Sequence, residues 1–398
     1  MPEKKLERYI KSLPKKVIFC KKCVMSNQRP RIKFIDGVCS ACIYLEQKKS
    51  KIDWKEKSDK LEALLDKYRN KNGEWDVIVP GSGGKDSAYV AHVLKNKYKM
   101  NPLCVTFAPY RYTAIGLENF ENFVKSGFNV LNFFPNGELY RKLSNLAFRE
   151  LGDNFTPFTF GQHSYCYHIA KKFNIELVFF GEISDQEYGG DFDEVKEETI
   201  PIENSEMIYW KGSNIYELID HGIKNYPKLF KKDDFKKSDL EFLYPPDMKN
   251  LKIRNEFMST YVNWKPQDNY YYAVKNTGFK PNPDRSEGTY SKYASLDDKL
   301  DWLHYYMMFI KLGMGRTTSD AAHEVREGII DREEACKLVK KFDGEFTKKY
   351  FDYTLDYLML DRESFFQIVD SFRLEHIWKK VDGDYKLRHT VNLDGTDD

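Results

Sequence analysis

Residues 76–87 read Asp76-Val77-Ile78-Val79-Pro80-Gly81-Ser82-Gly83-Gly84-Lys85-Asp86-Ser87, and the rest of the chain is arranged around them. Val77-Ile78-Val79 is a short apolar run of the kind a buried parallel strand shows. It breaks into a glycine-rich turn, after which Ala88-Tyr89-Val90-Ala91-His92-Val93-Leu94 follows a helical apolar pattern. Strand, glycine turn and helix start together make an anion-binding arrangement. Glycine lets the backbone approach closely, and free N–H groups at the helix start point at the anion. Lys85 adds a full positive charge, and Ser82 and Ser87 add hydroxyl donors. The phosphate-binding candidates are Ser82, Gly83, Gly84, Lys85, Asp86 and Ser87, with Lys85 and Asp86 as candidate catalytic residues. The longer spacer of a Walker A loop is missing. The alternative is a glycine-rich turn that binds nothing.

From Asp76 onward, strand-like and helix-like stretches alternate, the signature of a parallel α/β sheet. Residues 103–107, 130–134 and 177–180 read as further strands, and 117–125, 137–151 and 161–173 as helices. In doubly wound sheets, ligands sit beyond the carboxyl ends of the strands. The segment from Phe107 to Arg111 and the loop from Gly181 to Gly190 should therefore converge on Ser82–Ser87, which adds Phe107 and Gly181 to the nucleotide-binding candidates. In that loop Glu182, Asp185 and Glu187 are candidate Mg2+ ligands, because magnesium takes carboxylate and phosphate oxygens together. A solvated polar loop is the other reading. Tyr188 and Gly189 there, with His163 on the preceding helix, are candidate substrate contacts. Cys166, a lone helical thiol, reads as core.

Before the sheet stand Cys20-Lys-Lys-Cys23 and Cys39-Ser-Ala-Cys42, a C-x2-C-x15-C-x2-C pattern. Two such knuckles can offer four thiolates to one tetrahedral zinc, and four thiolates leave no open position for catalysis. Asp36-Gly37 between them reads as a hairpin turn. Residues 46–74 read as a charged helical connector, with Leu61, Leu64, Leu65 and Tyr68 at helical spacing.

The 398 residues are 41% hydrophobic, which excludes wholesale disorder. No apolar run is long enough to span a bilayer and the N-terminus lacks an apolar core, so the expectation is a cytoplasmic protein without membrane contact. Net charge is +2, yet residues 1–75 hold 20 Lys/Arg against 10 Asp/Glu, while the remainder is acidic. A basic head could face nucleic acid, an anionic substrate or an acidic protein. Beyond 190 the periodicity weakens, and residues 191–250 read as an insertion. Tyr270-Tyr271-Tyr272 fits a packed edge or a substrate platform. From 296 the chain reads as helical. Lys311-Leu-Gly-Met-Gly-Arg-Thr-Thr-Ser319 is either a turn or a phosphate receiver through Arg316 and three hydroxyls. The expected organisation is a zinc ribbon (1–45), a helical connector (46–75), an α/β nucleotide domain (76–200), an insertion and substrate region (201–295) and a helical C-terminal region (296–398).

Ser82-Gly-Gly-Lys-Asp-Ser87 resembles the pyrophosphate loop of the ATP pyrophosphatases, the adenine-nucleotide alpha-hydrolase group. Several further features resemble the N-acetyl sugar amidotransferases (WbpG/PseA type) of O-antigen and flagellin-sugar synthesis. They are Cys20-Lys-Lys-Cys-Val-Met, Gly181-Glu182 with Tyr188-Gly189-Gly190, Gly288-Thr289-Tyr290-Ser291, Lys311-Leu-Gly-Met-Gly-Arg316 and Glu324-Val-Arg-Glu-Gly328. The likeness covers roughly residues 18–380. It implies conversion of an N-acetyl amide on a nucleotide-linked sugar into an acetamidino group, with ATP, Mg2+ and a structural zinc. It also implies ammonia from a separate glutaminase with a cyclase-like channel subunit. No thiol in an elbow-type motif suggests a glutaminase within the chain. The rivals are a tRNA 2-thiolation enzyme, which the basic head favours, and a non-enzymatic zinc protein binding nucleic acid. Thiolation chemistry uses paired cysteines, whereas here only Cys104 and Cys166 fall in the catalytic region, and neither has a close second cysteine.

Overall fold

The computed structural model describes residues 6–70, 72–191, 212–249 and 251–392. A hairpin of β1 (Phe34–Ile35) and β2 (Val38–Cys39) turns on Asp36-Gly37, both with positive φ, as a two-residue turn requires. Next come helices α1 (Ser40–Lys51) and α2 (Trp54–Tyr68). The connector is thus two helices rather than one, and the first begins inside the second cysteine pair. Asp53 breaks the run by capping α2 through the amides of Lys55 and Glu56. Burial of Leu61, Leu64 and Leu65 holds α2, at about 1.5–3 kcal/mol apiece. Its exposed Lys60–Glu56 pair adds only about 0.3–0.5 kcal/mol.

The central sheet has five parallel strands, β3 (Val77–Pro80), β4 (Pro102–Phe107), β5 (Asn129–Phe133), β6 (Leu177–Phe180) and β7 (Arg254–Phe257), in the order β5-β4-β3-β6-β7. This is the expected doubly wound α/β sheet. Its switch point lies between β3 and β6, where Ile78 pairs with Val178. Alternation along β3 sends Val77 and Val79 to one face, against α2, α3 (Lys85–Asn96) and Trp264. Ile78 faces the other side, where α4 (Ala114–Lys125) is absent and α5 (Gly137–Leu151) and α6 (Thr156–Phe173) supply the packing. The fifth strand comes from the stretch beyond 201 that reads as an insertion. Of that stretch and its neighbour, residues 192–211 and 250 lie outside the described residues.

After β6 the chain forms α7 (Ser184–Tyr188), and later α8 (Ile215–Asn225) and α9 (Pro266–Thr277). The C-terminal region contains α10 (Asp301–Leu312), α11 (Arg316–Glu327), α12 (Arg332–Phe342), α13 (Phe351–Leu358) and α14 (Arg362–Asp370). It is helical as expected but ends in an antiparallel hairpin, β8 (Trp378–Val381) and β9 (Asp384–Leu387), turning on Asp382-Gly383. The cysteine segment is no detached ribbon. Cys20, Cys23, Val24, Met25 and Cys39 are buried in the same core as Ile78 and α10. Among the described residues no helix is long and apolar enough to cross a membrane.

Candidate active site

Val79 and Pro80 end β3 at the switch point, and the turn after them is shaped by contacts that only glycine allows. A Cβ on Gly81 would stand 2.3 Å from that of Ser87, and one on Gly83 (φ +85) would stand 3.0 Å from the backbone of Asn119 and Phe120. Helix α3 then starts at Gly84, which offers no capping side chain to the first amides. Those amides and Lys85 are the donors left available to an anion. The two hydroxyls are engaged within the protein: Ser82 Oγ donates to Asp297 Oδ2 at 2.7 Å and Ser87 Oγ to the Gly84 carbonyl at 3.1 Å. Lys85 pairs with Asp86, and Asn269 Nδ2 donates to Asp86 Oδ1 at 3.0 Å.

Two cavities meet at this turn. The larger, about 420 Å³, lies over the tips of β3 and β6 and is lined by Val79, Ser82, Asp86, His163, Phe180 and Glu182. The smaller, about 210 Å³, opens on the other side of Ser82, Gly84 and Asp86 and is walled by Tyr293, Asp297, Asp301, Tyr305 and Arg316. The segment carrying Asp297 is tied to the loop after β4. Thr113 N donates to the Asp297 carbonyl at 3.0 Å, Lys299 N donates to the Arg111 carbonyl at 2.9 Å, and Asp298 accepts from the amides of Tyr110 and Arg111. The C-terminal region thereby supplies one wall of the site.

Several sequence candidates converge and others do not. Gly181, Glu182 and His163 line the larger cavity. His163 lies parallel to Phe180 at 6.0 Å, and burial pushes its pKa down to about 4, so it stays neutral at physiological pH. Burial, then the charge of Asp86, pushes Glu182 up to about 7. Phe107 is not at the cavity. It is buried among Phe133, Tyr140, Phe158 and Tyr165, with Gly161 leaving room for its ring. The magnesium triad is also parted. Asp185 pairs with Arg31 at 2.7 Å, and Glu187 lies between Lys48 (3.2 Å) and His323 (2.9 Å). Gly189 gives its carbonyl to Arg29 at 2.8 Å and abuts Ile32, while Tyr188 reaches a shallow recess beside Lys85 and Arg316. Two of the three hydroxyls near Arg316 are engaged too: Thr317 donates to the Gly288 carbonyl at 2.8 Å, and Thr318 to Asp343, whose carboxylate also caps α11 through Gly315 N. Arg316 itself faces the smaller cavity. Its Tyr293, Asp297 and Tyr305 walls carry no local signal in the sequence, since Asp297 meets Ser82 across 215 residues.

Glu187 is a stability centre rather than a metal ligand. Burial acts to raise its carboxyl, but His323 and Lys48 outweigh burial and hold it down at about 2. A depressed acid contributes fully above its ordinary pKa of 4.5 and loses that contribution as pH falls from there towards 2. Glu187→Gln leaves the buried Lys48 ammonium without its counter-charge, and the expected cost is about 3–5 kcal/mol. Denaturant unfolding of both forms between neutral and acid pH checks this. The difference should shrink as the pH drops below 4.5.

The four cysteines do come together. Their sulfurs lie within 4.8 Å of one another, all buried. Backbone amides of Lys22, Met25 and Cys39 point at Cys20 or Cys23 sulfur at 3.3–3.5 Å. Donor set, burial and N–H···S contacts all fit a structural zinc. Four cations of the basic head bond within the fold, Arg29, Arg31, Lys48 and Lys49 to the Gly189 carbonyl, Asp185, Glu187 and the Arg326 carbonyl, while most of its other described Lys and Arg side chains are exposed. Cys104 and Cys166 are buried, and burial pushes both thiols up.

Residues 287–392 match the family described as LPS biosynthesis protein WbpG-like, C-terminal domain. An uncharacterized protein of Methanocaldococcus jannaschii is 30% identical over 108 residues, which is 27% of this chain and 38% of that relative. The solved NMN synthetase of Francisella tularensis is 14% identical, with 58% of this chain and 89% of that chain covered. Its TM-score of 0.28 is too low to bear on fold or function. The family likeness thus rests on residues 287–392, which resemble the C-terminal domain of the WbpG-like proteins and are joined here to a sheet that carries the glycine-rich Ser82–Ser87 turn.

Proposed function

We propose that the protein is an ATP-dependent N-acetyl sugar amidotransferase: it transfers AMP to the amide oxygen of a nucleotide-linked N-acetyl sugar, and ammonia then displaces AMP to leave an acetamidino group. The observation that carries this is the uncapped start of α3, with Lys85 beside it, at the sheet's switch point and between two cavities. One cavity suits a nucleotide and the other a second substrate.

An amide carbonyl is a poor electrophile, and adenylation of its oxygen supplies a good leaving group. Bond formation from that oxygen to the α-phosphorus breaks the bond to the bridging oxygen, and pyrophosphate departs with the electron pair. The Gly83–Ser87 amides and Lys85 stabilise the charge that develops there. Asn269 and Lys85 orient Asp86. Glu182 and Asp86 are the carboxylates that fit Mg2+. They line the same cavity, where burial first and then the charge of Asp86 raises Glu182. When bound, the ion would neutralise phosphate charge. Neutral His163 and the apolar strand tips add no further charge to the two carboxylates of the cleft.

At neutral pH most ammonia is the non-nucleophilic ammonium ion, so a docked glutaminase partner with a channel subunit is the expected nitrogen source. The isolated chain should therefore work with high ammonium salt, faster as pH rises, and hardly at all with glutamine. Product analysis under both conditions tests this, and glutamine-driven turnover by the chain alone would overturn the partner reading. Buried, unpaired Cys104 and Cys166, in separate cores, do not favour a sulfur-transfer reaction.

A further inference from the structure

The smaller cavity, the one left to the second substrate, is a built site. It shares Ser82, Gly84, Asp86 and Gln162 with the strand-tip cleft, so a molecule in it would meet a nucleotide at the turn. Arg316 enters it as a fixed cation. Its guanidinium lies 4.6 Å over the Tyr305 ring, bonds to the Tyr305 hydroxyl and is held by Asp320 at 3.0 Å. A guanidinium oriented by an aromatic face and a carboxylate suits an incoming anion. Tyr293 forms a second aromatic wall, stacked on Tyr270 at 4.6 Å with the Lys85 ammonium 5.7 Å from its ring. Asp301 adds an acceptor for hydroxyl groups. Ser295, also in the wall, has a left-handed backbone (φ 54) that is unfavourable outside glycine, and strain of this kind is retained where a site needs it.

We propose that this cavity is the acceptor site, and that it takes the sugar ring of a polyhydroxylated, phosphate-bearing compound, fixed by Arg316 and Tyr305. The assignment rests on the adenylating reading above. Aromatic walls suit the apolar face of a pyranose, and carboxylates suit its hydroxyls. The volume of about 210 Å³ suits one ring rather than a whole nucleotide sugar. The remainder extends past Lys265 and Gln267 along an adjoining recess that shares Lys85, Tyr293 and Arg316. Seated there, the acceptor oxygen approaches the α-phosphorus from the side opposite the nucleotide cleft, as pyrophosphate leaves through the turn. AMP later departs with that oxygen when ammonia adds to the carbon and gives up a proton.

The test is steady-state kinetics of the full chain with UDP- and CMP-linked N-acetyl sugars, ATP, magnesium and ammonium chloride. Arg316→Lys and Tyr305→Phe should raise KM for the sugar nucleotide by about tenfold and leave KM for ATP unchanged. A raised KM for ATP with an unaltered sugar KM, or no change in either, overturns the cavity assignment alone. Absence of turnover by the unaltered protein with every sugar overturns the adenylating reading and the assignment with it. Because all seven native cysteines are buried, Ser295→Cys and Ser184→Cys serve as maleimide reporters of the two cavities. The sugar nucleotide should protect the first and ATP the second, and the reverse pattern contradicts the assignment even where a kinetic variant folds poorly.

Discussion

Lys85→Ala is expected to slow turnover by about two to three orders of magnitude, the loss typical of a preorganised charge-stabilising donor. The reason lies in what surrounds Lys85. Both serine hydroxyls of the turn are bonded to protein acceptors, so the turn's only full positive charge carries the electrostatic part of phosphate stabilisation together with the amides. Asp86, its partner, is also held by Asn269, so the fold of the turn should survive the substitution. Single-turnover measurement of AMP and pyrophosphate release checks the effect. Normal activity in the variant, or ADP and phosphate as products, would remove the pyrophosphate-loop assignment.

Cys39→Ser should abolish stoichiometric zinc and most of the soluble protein. Structural zinc in small cysteine sites binds with apparent free energies of about 10–16 kcal/mol, and that binding is folding free energy. Here the consequence reaches the active site. Residues of the cysteine segment and α1 hold the loop after β6 at several points: Arg29 to Gly189, Arg31 to Asp185, Ser40 to Gly190, Tyr44 to Gln186 and Lys48 to Glu187. Arg326 of α11 bridges Cys23 sulfur to the Glu187 carbonyl. Loss of the metal should therefore loosen Glu182 and the nucleotide cleft as well as the knuckles. Metal analysis with thermal unfolding checks this. A full zinc equivalent in the variant would show that Cys39 is not a ligand.

The sequence announces the inner strands because each is an apolar run bounded by turn residues. The edge strand β7 is hidden for a physical reason: Arg254-Asn255-Glu256-Phe257 carries a fully buried Glu256, satisfied by Tyr261 at 2.7 Å and by Arg254, so polarity masks the burial. The last hairpin carries an Asp382-Gly383 turn signal, but the consecutive exposed Lys379 and Lys380 break the alternation between Trp378 and Val381. Within the site, the strand–glycine turn–helix arrangement is legible because its signals are contiguous in the sequence. Asp185 and Glu187 read as metal-ligand candidates in the sequence because their cations, Arg31 and Lys48, stand 154 and 139 residues away, and composition cannot report such pairing. Phe107 reads as a nucleotide contact for the same reason, since its position at a strand end does not reveal that Gly161 opens a niche for it inside the core.

The most direct test of the adenylating reaction is the fate of the acceptor's carbonyl oxygen. A nucleotide-linked N-acetyl sugar labelled with heavy oxygen in its acetamido group is incubated with the protein, ATP, magnesium and ammonium, and the products are weighed by mass spectrometry. The expected result is an acetamidino sugar without the label, and one labelled oxygen in the phosphate of AMP for each sugar converted. Label retained in the sugar, or found in inorganic phosphate beside ADP, would contradict adenylation of the amide oxygen.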